Sequence, residues 1–139
     1  MENSAEAEQT AVDTTSPENI EALLEAARYG DIDDLTILVS TALHMACANG
    51  YLDIVEYLIS KRVELNPTNA ENNTPLHWAC LNGHVEVVKK LILAGASVSA
   101  LNSYERTPMD EAVSNGKMDV IDAINTAVAQ LELAGISVS

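Results

Sequence analysis

The sequence predicts an all-α solenoid of stacked helix-turn-helix units with short β-turn connections. Three observations predict it. First, Thr74-Pro75-Leu76-His77-Trp78-Ala79-Cys80-Leu81-Asn82-Gly83-His84 packs a helix start, a short apolar helix and a glycine stop into one brief stretch. Second, the same pattern stands earlier, from Thr41 to Tyr51, and returns in degraded form from Thr107 to Lys117, so that its threonines are evenly spaced along the chain. A fixed period of that size marks a repeat array. Third, each copy is followed by apolar residues at helical spacing, as in Ile54, Val55, Leu58 and Ile59.

Composition sets the limits. The 139 residues suffice for one domain. Aromatics are 4% with no Phe, so the core must come from Leu, Ile, Val and Ala. No apolar run approaches the ~18–20 residues that span a bilayer, so no membrane role is expected. The polar, acidic stretch from Met1 to Thr15 reads as neither signal nor transit peptide. Asn72-Asn73-Thr74 matches a glycosylation acceptor, which without a secretory signal is expected to go unused. Net charge is −14: ten acids and one arginine in residues 1–40 give −9, and eleven acids with six Lys/Arg in residues 41–139 give −5. Such a surface repels nucleic acid and anionic lipid and suits a basic protein partner.

In chain order, residues 1–14 read as a disordered acidic lead. A domain then spans residues 15–139: a shortened first unit (15–40), repeats at 41–73 and 74–106, and a C-terminal capping repeat (107–139). A helix is expected from Thr15-Ser16-Pro17-Glu18, where a hydroxyl caps and proline fits the first turn. Ile20, Leu23, Leu24 and Ala27 form its stripe, and Tyr29-Gly30-Asp31 ends it. A second helix is expected from Ile32 to Val39, with Leu35, Ile37 and Leu38 inward. Gly30 and Gly50 stand closer together than Gly50 and Gly83, so the first unit lacks the loop and turn that later repeats carry, and the gap falls between Val39 and Thr41.

The repeat from Thr41 is expected to carry helices over Ala42–Asn49 and Leu52–Ser60. Asn69-Ala70-Glu71-Asn72-Asn73 forms its turn. The repeat from Thr74 is the best formed, with Pro75 at the first helical position and a second helix of Val85, Val87, Val88, Leu91, Ile92 and Leu93. In the last repeat Asp110 replaces the histidine. A long helix, Met118 to Leu133, buries Val120, Ile121, Ile124, Val128 and Leu131. A final helix with an exposed outer face closes a solenoid.

Thr-Pro-Leu-His-x-Ala, the 33-residue period, a glycine between two helices and Gly95-Ala96 after the second together resemble the ankyrin repeat. The resemblance covers about residues 20–133. Departures are Arg62 for glycine, Asn72 and Glu105 at the turn glycine, Asp110 for histidine, and the shortened first unit. It implies a structural role for His44 and His77, tying helix starts to neighbouring turns. Thr41-Ala-Leu-His-Met-Ala and Asn73-Thr-Pro-Leu-His-Trp-Ala-Cys-Leu-Asn-Gly are also similar to ankyrin chaperones that escort a basic ribosomal protein, although the long acidic tail of that group is missing.

Chemistry is weighed against this scaffold. His44, His77, Cys47 and Cys80 recur at the period but lack the i, i+4 or CxxC spacing of a zinc site, so no metal is expected. Cys and His at i and i+3 on one short helix, with no orienting acid, do not make a nucleophile, and no catalytic residue is assigned. The six glycines stand singly, so no phosphate loop, cofactor or small-molecule substrate is expected. Cys47 and Cys80 read as reduced, buried residues of a cytoplasmic or nuclear protein.

What remains is surface. The resemblance implies a concave face built from first-helix ends and β-turn tips, which bind another protein. The helix ends are Ala48 and Asn49, Leu81 and Asn82, and Ser114 and Asn115. The turn positions are Asn69, Glu71 and Asn72, then Asn102, Tyr104 and Arg106. Trp78 reads either as core or as a partner anchor. The expected function is a non-catalytic protein-binding module; the alternative is an escort of a basic client.

Overall fold

The structure, a computed structural model, describes residues 32–137, with side chains from residue 36 onward. The expected acidic lead and the helix from Thr15 lie outside the described residues. The chain divides into two compact units, Met1–Ala42 and Leu43–Ser139. Among the described residues there are six helices and no strand. They are α1 (Ile32–Asn49), α2 (Leu52–Ser60), α3 (Pro75–Asn82), α4 (Val85–Leu93), α5 (Pro108–Ser114) and α6 (Met118–Leu133).

The first helix departs from the sequence expectation. Instead of one helix to Val39 and another from Ala42, α1 runs unbroken through 18 residues. Thr41 does not cap. Its hydroxyl donates back to the carbonyl of Ile37, 2.9 Å away, the bond a threonine makes inside a helix. Pro75 and Pro108 force a start because the residue before proline is pushed out of the helical region. Ala42, the strongest helix former, imposes no such break. With no connection between Val39 and Thr41, nothing turns the chain. Ile37 and Leu38, expected inward, are exposed.

Thr74 and Thr107 do start helices. Each hydroxyl accepts the backbone amide of the third helical residue, and that residue's side chain accepts the threonine's own amide, a reciprocal capping box. The third-position residue is His77 in one and Asp110 in the other.

Within residues 43–137 the first helices α3 and α5 pack on each other, and α2, α4 and α6 stack in succession. Val55 and Leu58 of α2, Val88, Leu91 and Ile92 of α4, and Val120 of α6 are fully buried between them. Leu43, Leu76, Ala79 and Ala112 fill the layer under the first helices. Burying a Leu, Ile or Val side chain stabilises by roughly 1.5–3 kcal/mol, so neighbour-on-neighbour stacking supplies most of the favourable free energy. Leu93, expected in this core, is exposed, while Ile121, Val128 and Leu131 are half-buried.

Gly50 is required by its neighbour as well as by its backbone. At φ +75 a side chain is strained, and a Cβ there would stand 2.5 Å from Nδ1 of His84. At three other positions the left-handed conformation is held without glycine. Arg62 (φ 60), Asn72 (φ 63) and Glu105 (φ 61) occupy it at the three positions where the repeat pattern puts glycine.

Candidate protein-binding groove

Two asparagines at matching positions of successive repeats, Asn69 and Asn102, build the turn tips. The Asn69 side-chain oxygen accepts the amides of Glu71 and Asn73, both at 2.9 Å. The Asn102 oxygen accepts those of Tyr104 at 2.9 Å and Arg106 at 3.1 Å. Each turn closes on itself: the Asn69 amide donates to the Asn73 carbonyl and the Asn102 amide to the Arg106 carbonyl, 3.1 Å away in both. The asparagine oxygen thus takes the place of a backbone acceptor at the bend.

The two turns are also joined to each other. Ser103 donates its amide to the carbonyl of Glu71 at 2.9 Å, and Asn72 donates its side-chain amide to the Ser103 hydroxyl at 3.1 Å. The Asn102 side-chain amide donates to the Asn73 side-chain oxygen at 2.9 Å and to Glu111 Oε2 at 2.8 Å. Asn102, expected as a contact residue, is therefore buried, and its side chain is committed to its own turn and to the neighbouring helix. The recurrence of asparagine at 69 and 102 is the sequence signal for this role.

Histidines fasten helix starts to the turns that follow. His77 is buried; its Nδ1 accepts the Thr74 amide at 3.0 Å, so Nε2 carries the proton and donates to the Arg106 carbonyl at 2.9 Å. Burial pushes its pKa below the usual 6.5, partly offset by the Arg106 carbonyl and the charge of Glu111. His44 makes the equivalent bond to the Asn73 carbonyl, 3.0 Å away. Asp110 closes its box locally, accepting the Thr107 amide at 3.0 Å, and that bond lowers its pKa.

Between these fasteners lies an open groove of about 360 Å³. Trp78 and Leu81 of α3 and Glu111 of α5 line it. Tyr104 and Arg106 come from one turn, and Glu71 from the turn before it. Asn73 and Asn102 complete the lining. Tyr104 is 67% exposed, a large apolar ring with no structural task. Trp78 is half-buried, with part of its surface in the groove. The Glu111 side chain is only 12% exposed and lies 3.6 Å from Arg106 Nη1.

Six of the thirteen expected contact positions thus meet in one place: Glu71, Trp78, Leu81, Asn102, Tyr104 and Arg106. Asn69 and Asn72 stand in the adjoining turn. The other five do not line the groove. Asn82 is exposed and donates to the Ala48 carbonyl at 2.9 Å, beside the His84 ring on that same oxygen. Asn49 and Asn115 are exposed and donate back to the carbonyls of Met45 and Glu111, each at 2.8 Å, and Ser114 is exposed.

Among the described residues no group of three His, Cys, Asp or Glu could hold a metal ion, and no helix is long and apolar enough to cross a membrane. Cys47 and Cys80 are fully buried free thiols, each pushed up to about 12 by burial. A thiol in that state is a small apolar residue, not a nucleophile.

A family model described as ankyrin repeats (3 copies) matches residues 9–102 and 43–127. Protein phosphatase 1 regulatory subunit 27 of Mus musculus is 32% identical over 80 residues, 48% of this chain and 52% of that protein. Its Homo sapiens counterpart is 33% identical over 73 residues, 43% of this chain and 47% of that protein. The chain spans about half the length of these curated relatives. The crystal structure of the human ASB11 ankyrin repeat domain matches with a TM-score of 0.58 and 32% identity, covering 61% of this chain and 38% of that one. Ankyrin repeats are in general protein–protein interaction modules and typically non-catalytic. With its period, capping boxes and histidine fasteners, the chain belongs to the ankyrin repeat family.

Proposed function

We propose that this chain is a non-catalytic module that binds a partner protein on the face made by its turn tips and first-helix ends, within a repeat domain spanning residues 15–139. The observation that carries the reading is the convergence of Trp78, Leu81 and the exposed Tyr104 in one groove framed by two hydrogen-bonded turns. Groups already ordered lose little entropy on binding. Aromatic side chains held in a pocket are the usual energetic anchors of such contacts. Two free cysteines suit a reducing compartment, and we place the protein in the cytoplasm or nucleus. The test is affinity capture with mass spectrometry, comparing the parent chain with Leu81→Glu and Tyr104→Glu. Proteins that copurify with the parent should fall at least tenfold with either variant, at unchanged helical content. Identical capture by all three would overturn the reading.

A second reading, escort of a basic client, is favoured by the net charge of −14. Charge steers encounter and is screened by salt. Capture of a basic client should weaken at least tenfold between about 50 and 300 mM salt, two conditions separated by a large change in Debye length. Salt-independent capture would remove this reading.

A further inference from the structure

We propose that the groove between α3 and α5 seats an arginine side chain of the partner polypeptide, its guanidinium against Trp78 and Tyr104 and paired with Glu111. This rests on the reading of the groove face as a partner-binding surface.

Charge favours a cation. The groove holds Glu71 and Glu111 against Arg106 alone, and Glu105 stands in the same turn. Cations on α4 are already engaged: Lys90 lies 3.2 Å from Glu56 of α2, and Lys89 lies 3.5 Å from Glu86. Shape and surface favour a guanidinium over an ammonium. Two aromatic side chains offer π faces, and arginine stacks on such faces while its fork meets a carboxylate. Its aliphatic stem would lie along Leu81.

The carboxylate is prepared for this role. Asn102 fixes Oε2 of Glu111 at 2.8 Å, which leaves Oε1 as the oxygen that meets a guanidinium. At present that guanidinium is Arg106, 3.6 Å away with a half-exposed side chain. Charge-assisted bonds of this type close to about 2.7–2.9 Å. Arg106 therefore holds the place loosely, and a partner's arginine with aromatic contacts from Trp78 and Tyr104 displaces it.

The lone tryptophan provides the readout. N-acetyl-arginine amide, the uncharged citrulline counterpart and N-acetyl-lysine amide are titrated separately into the full chain while the Trp78 indole N–H resonance is followed. The arginine compound should give a saturating shift, at least fivefold tighter than citrulline and at least twofold tighter than lysine. Glu111→Gln keeps an acceptor for Asn102 and should weaken arginine binding at least threefold. Arg106→Ala should tighten it at least twofold, while Arg62→Ala, the same change in charge elsewhere, should leave it unaltered. Equal shifts with citrulline or lysine, or an Arg106→Ala variant that binds no tighter, would overturn the assignment. Loss of partner capture by Tyr104→Glu without any arginine-dependent shift would keep the binding module and remove this pocket. An arginine-dependent shift with capture indifferent to Tyr104→Glu would instead remove the module reading.

Discussion

His77 donates from Nε2 to the backbone carbonyl of Arg106, 2.9 Å away, although the two are well separated along the chain. The same ring accepts the Thr74 amide at 3.0 Å, so it is useful only while neutral. A proton on Nδ1 would set two donors against each other.

Acid should therefore loosen the array as the pH falls below 6.5. The unfolded chain takes up the His77 proton near 6.5, and burial holds the folded value lower. The unfolded state binds more protons in that window, so stability is full above 6.5 and falls as pH drops toward the folded value. Urea midpoints measured at pH 7.5 and 5.5 should fall with acid. In His77→Gln they should start lower and change less, since the variant loses about 1–3 kcal/mol from the broken fastening.

Ala42→Pro tests the continuity of α1. Proline is favourable at the first position of a helix, as at Pro75, but inside one it breaks a bond and clashes with the preceding turn. At residue 42 the structure places it well inside the unbroken helix. A loss of about 3 kcal/mol is expected. A neutral or stabilising effect in urea unfolding would mean that a helix begins at that point after all.

Glycine should help where the backbone is already left-handed. Arg62→Gly and Glu105→Gly relieve a non-glycine φ near 60°. Each should add about 0.5–1 kcal/mol, less the extra entropy the unfolded chain gains. The double variant should show the sum in its chemical denaturation curve, because the sites lie in separate turns.

The two thiols should report global opening. Both are fully buried and pushed up to about 12. At pH 8 a disulfide reagent should label native protein slowly, at a rate set by unfolding, and both cysteines rapidly in urea. Fast labelling of the native chain would show a looser core around Cys47 and Cys80.

Legibility followed from what each residue type constrains by itself. Pro75, Pro108 and their threonines announced helix starts because proline restricts its own backbone and its predecessor's. Arg62, Asn72 and Glu105 were identifiable as strained because the repeat demands glycine there. Thr41 misled because Ala42 follows it where the later repeats have proline and the preceding connection is absent, and a threonine alone does not stop a helix. The burial of Asn102 was not legible because it depends on Asn73 and Glu111, partners that only the packed turns bring near. The groove gathers side chains from two turns and two helices, a tertiary coincidence that no single stretch encodes.

The stitching between neighbouring turns has a consequence for what the face can read. With Ser103 bonded to Glu71 and Asn102 to Asn73, the two tips cannot slide past one another. They act as fixed graduations on a ruler. A bound polypeptide must then match their interval with its own residues, and inserting one residue between its two contact points should cost more than replacing either.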